Sequence, residues 1–277
     1  MCGWAVHLSG LFIHPVKSLR ACAVESVEID ALGAVGDRRF MIVDENGRFL
    51  TQRTLPRMAR VATALADGEL TLSAEGAGEL RVPRASDPAA PLRRVSVWKS
   101  EGLQAEDCGD EPARWLGGLL GASCRLVRVG RDFRRPMLKA DALPGDRIGF
   151  ADSHPFLVIS EASLGDLNAR LAFGGHPALP MNRFRPNLVV AGCPAFAEDG
   201  WPRLRIGGIV FRDGGPCSRC IVTTTDQFTG ERGKEPLRLL ATYRRDPDDP
   251  TDVNFGRNFN HETKSGMLKL GDPVEVL

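Results

Sequence analysis

The stretch GGPCSRCIVTTTD, residues 214–226, holds Cys217 and Cys220 two residues apart. That spacing suits half a zinc site, a redox disulfide, a pair of cluster ligands, two structural cysteines at a turn, or a loop that presents a thiolate to a ligand. A structural zinc needs four ligands, and here no second such pair exists; only His261 follows. A thioredoxin-type pair sits at a helix N-terminus, where the dipole lowers the thiol pKa. After Cys220 come five β-branched residues, Ile-Val-Thr-Thr-Thr. These lose rotamer freedom in a helix and favour a strand, so Cys220 is expected to open a strand out of a Gly-Gly-Pro loop. A turn with structural cysteines and a thiolate offered to a ligand both remain. In the second case, Arg219 beside the thiol would favour its ionised form.

The elements that must carry this loop read as mostly β. RFMIVDENGRFLTQRT is a hairpin signal, two apolar runs around Asn46-Gly47. GELTLSAEGAGELRV is a second, with Leu70 and Leu72 facing Leu80 and Val82. RRVSVW, CRLVRV, PFLVIS, RPNLVVAG and RLRIGGIVFR read as further strands, and GMLKLGDPVEVL alternates around a Gly-Asp-Pro turn. Two helices are expected. One runs from a cap at Asp110, with Pro112 in its first turn and an apolar face of Trp115, Leu116, Leu119 and Leu120. The other follows Ser160 and aligns Leu164, Leu167 and Leu171. Residues 130–147 are polar and punctuated by Pro and Gly, as an interdomain connection is. Many short strands joined by turns point to sheets or barrels in a mainly β (α+β) fold, and exclude a doubly wound one.

The totals agree with a globular protein. The 277 residues allow one large domain or two ordinary ones. Hydrophobic residues make up 43% and charged residues 26%, and the formal net charge of +1 advertises no nucleic-acid partner. A small anion held by clustered Arg and Lys is compatible with that balance. Of the seven cysteines, five (Cys2, Cys22, Cys108, Cys124, Cys193) are scattered, which is not a secreted disulfide framework. The N-terminus lacks a secretory pattern, and no apolar run approaches the ~18 residues that span a bilayer. The expectation is a cytoplasmic monomer without a membrane span.

Seven motifs then stand in order along the chain: HPVKS (14–18), GDRRFMIVD (36–44), TQR (51–53), SEASLGDLN (160–168), RFRPNLVV (183–190), CSRCIVTTTD (217–226) and LGDPV (270–274). Together they resemble the MOSC family, and within it the amidoxime-reducing components and bacterial YcbX-type proteins. The resemblance runs from about residue 11 to the end. It implies an N-terminal MOSC-associated β domain, over 9–128, followed by a MOSC β-barrel with short helices, over 129–277, with one molybdenum cofactor (molybdopterin-bound) between them.

The family's site carries over residue by residue. The second cysteine of the motif, Cys220, would ligate molybdenum; a soft thiolate suits a metal already held by dithiolene sulfurs. Cys217 would line the loop. Lys17, Ser18 and Arg39 would hold the terminal phosphate, the arginine by its fork, the lysine as a point charge, the serine by its hydroxyl. Ser153, His154, Arg185, Asn187, Ser218, Arg219 and Asn258 would contact the pterin, with Arg53 nearby, and Asp199 would stand as an acid near the metal. His154 and Asn258 depart from the residues common in relatives.

The activity implied is reduction of N-hydroxylated compounds (amidoximes, hydroxylamines, N-hydroxylated bases). YcbX-type proteins often continue into a ferredoxin domain, whereas this sequence stops at Leu277. A separate one-electron donor of ferredoxin, flavodoxin or cytochrome type, with its reductase, is therefore expected. Two rival readings belong to other classes: a cofactor carrier or sulfur-transfer module using Cys220, and a zinc-bearing interaction domain.

Overall fold

The computed structural model describes residues 5–277, so Cys2 lies outside the described residues. The protein is mainly β, as the alternating runs require. An eight-stranded sheet dominates, in the spatial order Val274–Val276, Arg203–Ile206, Ile209–Ser218, Asn254–His261, Phe156–Ser160, Leu188–Ala191, His7–Ile13, Cys22–Ala23. One neighbouring pair in its centre, Phe156–Ser160 with Leu188–Ala191, is parallel. Parallel neighbours need a crossover, and the helix Glu161–Phe173 supplies it. Ser160 caps that helix, its Oγ accepting from the Ser163 N–H at 3.0 Å, and Leu167 and Leu171 are buried.

The strand His7–Ile13, near the start of the sequence, pairs with Leu188–Ala191, with Leu11 opposite Leu188. Gly266–Lys269, near the end, pairs with Ser26–Asp30. Both ends of the sequence are thus woven into one body around Leu8, Leu11, Phe156, Val190, Phe211 and Phe259. The chain dips out of this body at Val16 and Leu19, returns to it through residues 22–34, and then leaves it. It then builds a four-stranded sheet in the order Phe40–Val43, Arg125–Arg128, Ser100–Asp107, Leu92–Val97, and a three-stranded one, Ala62–Ala66, Glu69–Ala74, Gly78–Pro83. A second core of Val16, Phe40, Ile42, Leu70, Leu72, Leu116 and Leu126 fills them. Val16 bridges Phe40, and Lys17 N–H donates to the Phe40 carbonyl at 2.9 Å. Lys17 and Ser18 therefore sit where the chain crosses from one core to the other.

Both expected hairpins form. Leu70 faces Val82 and Leu72 faces Leu80. At Asn46-Gly47 the turn closes with the Arg48 carbonyl accepting from Asp44 N–H, and Gly47, at φ 74°, is packed so closely that a Cβ there would lie 2.2 Å from the Arg94 carbonyl oxygen. Two local expectations are corrected. The first helix spans Asp110–Leu120, but its cap is Gly109 at φ 95°; Asp110 lies inside the first turn and pairs with Arg125 at 2.7 Å. Cys220 does not open a strand. The preceding strand ends at Ser218, because its partner runs out at Asn254. With no neighbour to pair with, Ile221–Thr224 closes on itself as a 3-10 turn. The threonines serve this turn: Thr223 Oγ1 donates to the Cys220 carbonyl at 3.0 Å and Thr224 Oγ1 to the Ile221 carbonyl at 2.8 Å.

Residues 130–147 form the irregular connection that their composition predicts. Arg135 is buried there without a carboxylate partner among the described residues; its guanidinium donates to the carbonyls of Gly149 at 2.8 Å and Ala151 at 2.6 Å. Burial pushes its pKa down to about 10. No helix among the described residues is long and apolar enough to cross a membrane.

Candidate functional site

A cavity of about 460 Å³ opens between the two cores. One wall comes from the crossing segments of the N-terminal half, with Lys17, Ser18, Arg38 and Arg53. The other comes from the eight-stranded sheet and its loops, with Ser153, His154, Arg185, Asn187, Gly214, Gly215, Cys217, Ser218, Arg219, Cys220 and Asn258.

The backbone is contorted around this cavity. Ser18, Arg38 and Arg185 all adopt positive φ, at 67°, 45° and 57°. Such values cost a non-glycine residue energy and persist where packing enforces them. Gly214 allows a close approach: a Cβ there would lie 2.7 Å from His154 Cδ2.

Positive charge dominates the lining. Six cations (Lys17, Arg38, Arg53, Lys139, Arg185, Arg219) face two carboxylates, Asp141 and Asp152. The excess is local, because the whole chain carries only +1. Lys17 is buried; its Nζ donates to the Phe150 carbonyl at 3.1 Å and to Asp152. Burial lowers its pKa, with Asp152 opposing. Partial desolvation works against ionisation of Asp152, whose side chain is half exposed, yet Lys17, Arg53 and the Trp98 indole N–H hold its carboxyl well below the usual range. Arg53 stands 3.5 Å from Asp152 and stacks 4.7 Å over Trp98.

Arg185 and Arg219 have no carboxylate partner among the described residues. Arg185 donates to the Leu19 carbonyl at 2.7 Å, and burial, reinforced by Arg38, pushes it down to about 9. Arg219 donates to the Phe184 carbonyl at 2.6 Å and to Cys217 Sγ at 2.8 Å, and its Nε is buried without a partner. Buried cations without a counter-ion are costly, and an anionic ligand would offset that cost.

The remaining polar groups are fixed. Asn187 accepts from Arg38 at 2.8 Å and donates to Asp37 at 3.1 Å. Asn258 donates to the Pro216 carbonyl at 3.0 Å, tethering the loop before Cys217. His154 lies between Ser153 Oγ, 2.9 Å from its Nδ1, and Asp141, 3.3 Å from its Nε2. Burial lowers its pKa, and Asp141 opposes the shift. Cys217 and Cys220 are both free and half-buried. Among the described residues no hydrogen bond occupies Cys220 Sγ, and no three of His, Cys, Asp or Glu gather as a metal-holding group. A four-ligand zinc site has no basis in that arrangement.

Residues 5–123 match the MOSC N-terminal beta barrel domain and residues 145–275 match the MOSC domain. The chain belongs to the MOSC family. This MOSC protein is 36% identical over 281 residues to mitochondrial amidoxime-reducing component 1 of Mus musculus, covering 96% of this chain and 81% of the relative. The same component of Homo sapiens is 36% identical, with 96% and 82% covered. Component 2 of Bos taurus is 35% identical, again with 96% and 82% covered. Among solved structures, the YUAD protein from Bacillus subtilis aligns over 98% of this chain and 94% of its own at 13% identity, with a TM-score of 0.37, too loose to carry an argument.

Two residues expected at the site lie elsewhere in this MOSC protein. Arg39 points away from the cavity and pairs with Asp30 at 2.7 Å; its neighbour Arg38 lines the cavity instead. Residues 35–38 form a turn just before the strand Phe40–Val43, and the left-handed conformation of Arg38 sets which of the two side chains goes in. Asp199 pairs with Arg244 at 2.6 Å and does not line the cavity. Arg257, whose pKa Asp199 helps to raise, is engaged with Asp213, whereas the next residue of that strand, Asn258, reaches the cavity. The other expected residues are brought together. Arg38, Asp152, Asp141 and Lys139 are the charged lining residues that sequence reasoning missed. Arg38 and Asp152 each stand one position from an expected site residue, Arg39 and Ser153.

Proposed function

We propose that this MOSC protein is a molybdenum-cofactor oxidoreductase that reduces N-hydroxylated compounds to amines or amidines. The observation that carries the reading is one cavity in which an unbonded cysteine thiol shares walls with six cations against two carboxylates. The relatives' name, amidoxime-reducing component, supplies the substrate class.

The residues present fit such a group. A phosphorylated pterin is an anion, and Arg185 and Arg219 lack a counter-ion. Lys17, Ser18 and Arg38 would hold the phosphate; Arg185, Asn187, Ser153, His154, Ser218, Arg219 and Asn258 would hold the pterin; Cys220 would ligate molybdenum. Cys220 being a single protein ligand agrees with the lack of a larger ligand cluster among the described residues. When bound, the cofactor supplies two-electron oxygen-atom chemistry that no side chain can perform.

The chain's own tasks are to orient and to handle protons. Reducing an amidoxime to an amidine and water consumes two electrons and two protons. Arginines stay protonated at neutral pH, and Asp152 is held ionised, so neither gives up a proton readily. His154, between Asp141 and Ser153 Oγ, is the lining group suited to hold and pass a proton at Nε2 and Nδ1.

The test is turnover of benzamidoxime with reduced viologen as electron source, using protein from a molybdenum-replete host. Benzamidine formation supports the reductase. Bound molybdopterin without turnover would support the carrier reading instead.

A further inference from the structure

We infer that a basic, apolar-centred face beside the Cys220 loop is the docking surface for an acidic one-electron carrier protein. The inference rests on the reductase reading, in which the two electrons of each turnover come from outside the chain. Phe228 is 58% exposed at the centre of this face, in the loop that follows the Cys220 turn, and Ile221, next to Cys220, is 44% exposed. What sets this aromatic apart from the more exposed Phe173 is the set of cations around it and its place beside the Cys220 turn.

Contacts with the N-terminal half make the face continuous. The Arg20 guanidinium lies 4.8 Å over the Phe228 ring, while its Nε donates to the Gln227 carbonyl at 2.9 Å and to the Ala59 carbonyl at 3.3 Å. Arg57 flanks the loop, whose Gly230 is so placed that a Cβ would lie 3.5 Å from Arg57 Cα. Arg232, exposed, donates to the carbonyls of Gln52 and of Arg53, and Arg53 itself lines the cavity. Lys234 is exposed two residues on. Neither Arg20, Arg57, Arg232 nor Lys234 has an ion-pair partner among the described residues; the carboxylates nearby are the exposed Glu231 and the half-buried Asp226, which pairs with Arg183 at 2.9 Å.

The chemistry of the partner follows. Cations without an ion-pair partner, one of them stacked on an exposed aromatic, on a chain of net charge +1, complement an acidic surface with an apolar middle. Electrostatic steering onto a small patch gives fast, weak association, as turnover of a carrier requires. The face adjoins the loop of the proposed metal ligand, which keeps the electron path short.

The experiment compares two electron sources for the loaded enzyme reducing benzamidoxime: a plant-type ferredoxin with its reductase and NADPH, and reduced methyl viologen. In the variant Arg57→Glu/Arg232→Glu, the KM for ferredoxin should rise roughly tenfold and the salt dependence of kcat/KM should flatten. Phe228→Ala, which removes no charge, should raise the same KM several-fold. Viologen-driven turnover should stay within about twofold of wild type in both. An unchanged ferredoxin KM with intact viologen turnover overturns the docking face alone. So does a wild type that accepts viologen but neither ferredoxin nor flavodoxin. Absence of viologen turnover in the wild type overturns the reductase reading, and the face with it.

Discussion

Arg38 and Arg39 are adjacent and chemically identical, and backbone conformation decides which of them lines the cavity. Arg38, at φ 45°, turns into the cavity and is braced by Asp37 at 2.5 Å and by Asn187 at 2.8 Å. Arg39 is spent on Asp30. Removing a charge-assisted hydrogen bond costs about 1.5–3 kcal/mol, so Arg38→Gln should weaken cofactor retention by roughly tenfold to a hundredfold, read as pterin lost during dialysis. Arg39→Gln should retain the cofactor nearly as wild type does. Equal losses in the two variants would mean that the cavity does not hold the phosphate. The same pair shows the limit of reading a site in sequence. Residue types and their neighbourhood are legible in GDRRF, but the sign of one φ angle is not. At Asp199 the limit is facing: an acid near the right motif is engaged by Arg244 instead.

Among the elements, local signals were legible and long-range pairings were not. Asn46-Gly47 and the alternation of Leu70 and Leu72 each specify a hairpin within a dozen or so residues. Nothing local tells His7–Ile13 to pair with Leu188–Ala191, or Ser26–Asp30 to pair with Gly266–Lys269. Those pairings depend on burying a shared core. The five β-branched residues after Cys220 have strand propensity but no strand to pair with, and tertiary context prevailed. At the junction between two sheets, His261 is buried, with Nε2 2.8 Å from the Asp30 carbonyl. Burial pushes its pKa down to about 4 from an ordinary 6.5. The unfolded chain therefore takes up this proton first as pH falls. The contribution is fully present above about pH 6.5 and is lost progressively as pH drops toward 4. It is worth on the order of 3 kcal/mol. Buried His14 and His154 act in the same direction. Urea unfolding at pH 7.5 and pH 5 should show that loss, and His261→Gln should reduce it. A pH-independent midpoint would contradict the burial argument.

At the scale of the whole molecule, two cores meet and the cavity lies at their seam, with its charge balance far from that of the chain as a whole. The seam explains why the site draws on residues from 17 to 258 and why no single stretch of sequence displays it. The described residues hold no cluster of metal ligands that could serve as an internal electron relay. Hydride transfer from a nicotinamide is flavin-type chemistry, and the proposed site is one for a pterin-bound metal. NADH alone should therefore not drive benzamidoxime reduction by the pure protein, whereas reduced viologen should; robust NADH-dependent turnover without a carrier would refute this account of electron supply. The central claim is that Cys220 holds molybdenum in this seam, and metal and pterin analysis of protein from a molybdenum-replete host tests it most directly. About one molybdenum and one pterin per chain are expected in the wild type. Cys220→Ser should lose the metal and the activity while its unfolding midpoint stays near wild type, because the side chain serves the ligand and not the core. Wild-type protein free of molybdenum and pterin, or a Cys220→Ser variant with full molybdenum and unchanged turnover, would contradict it.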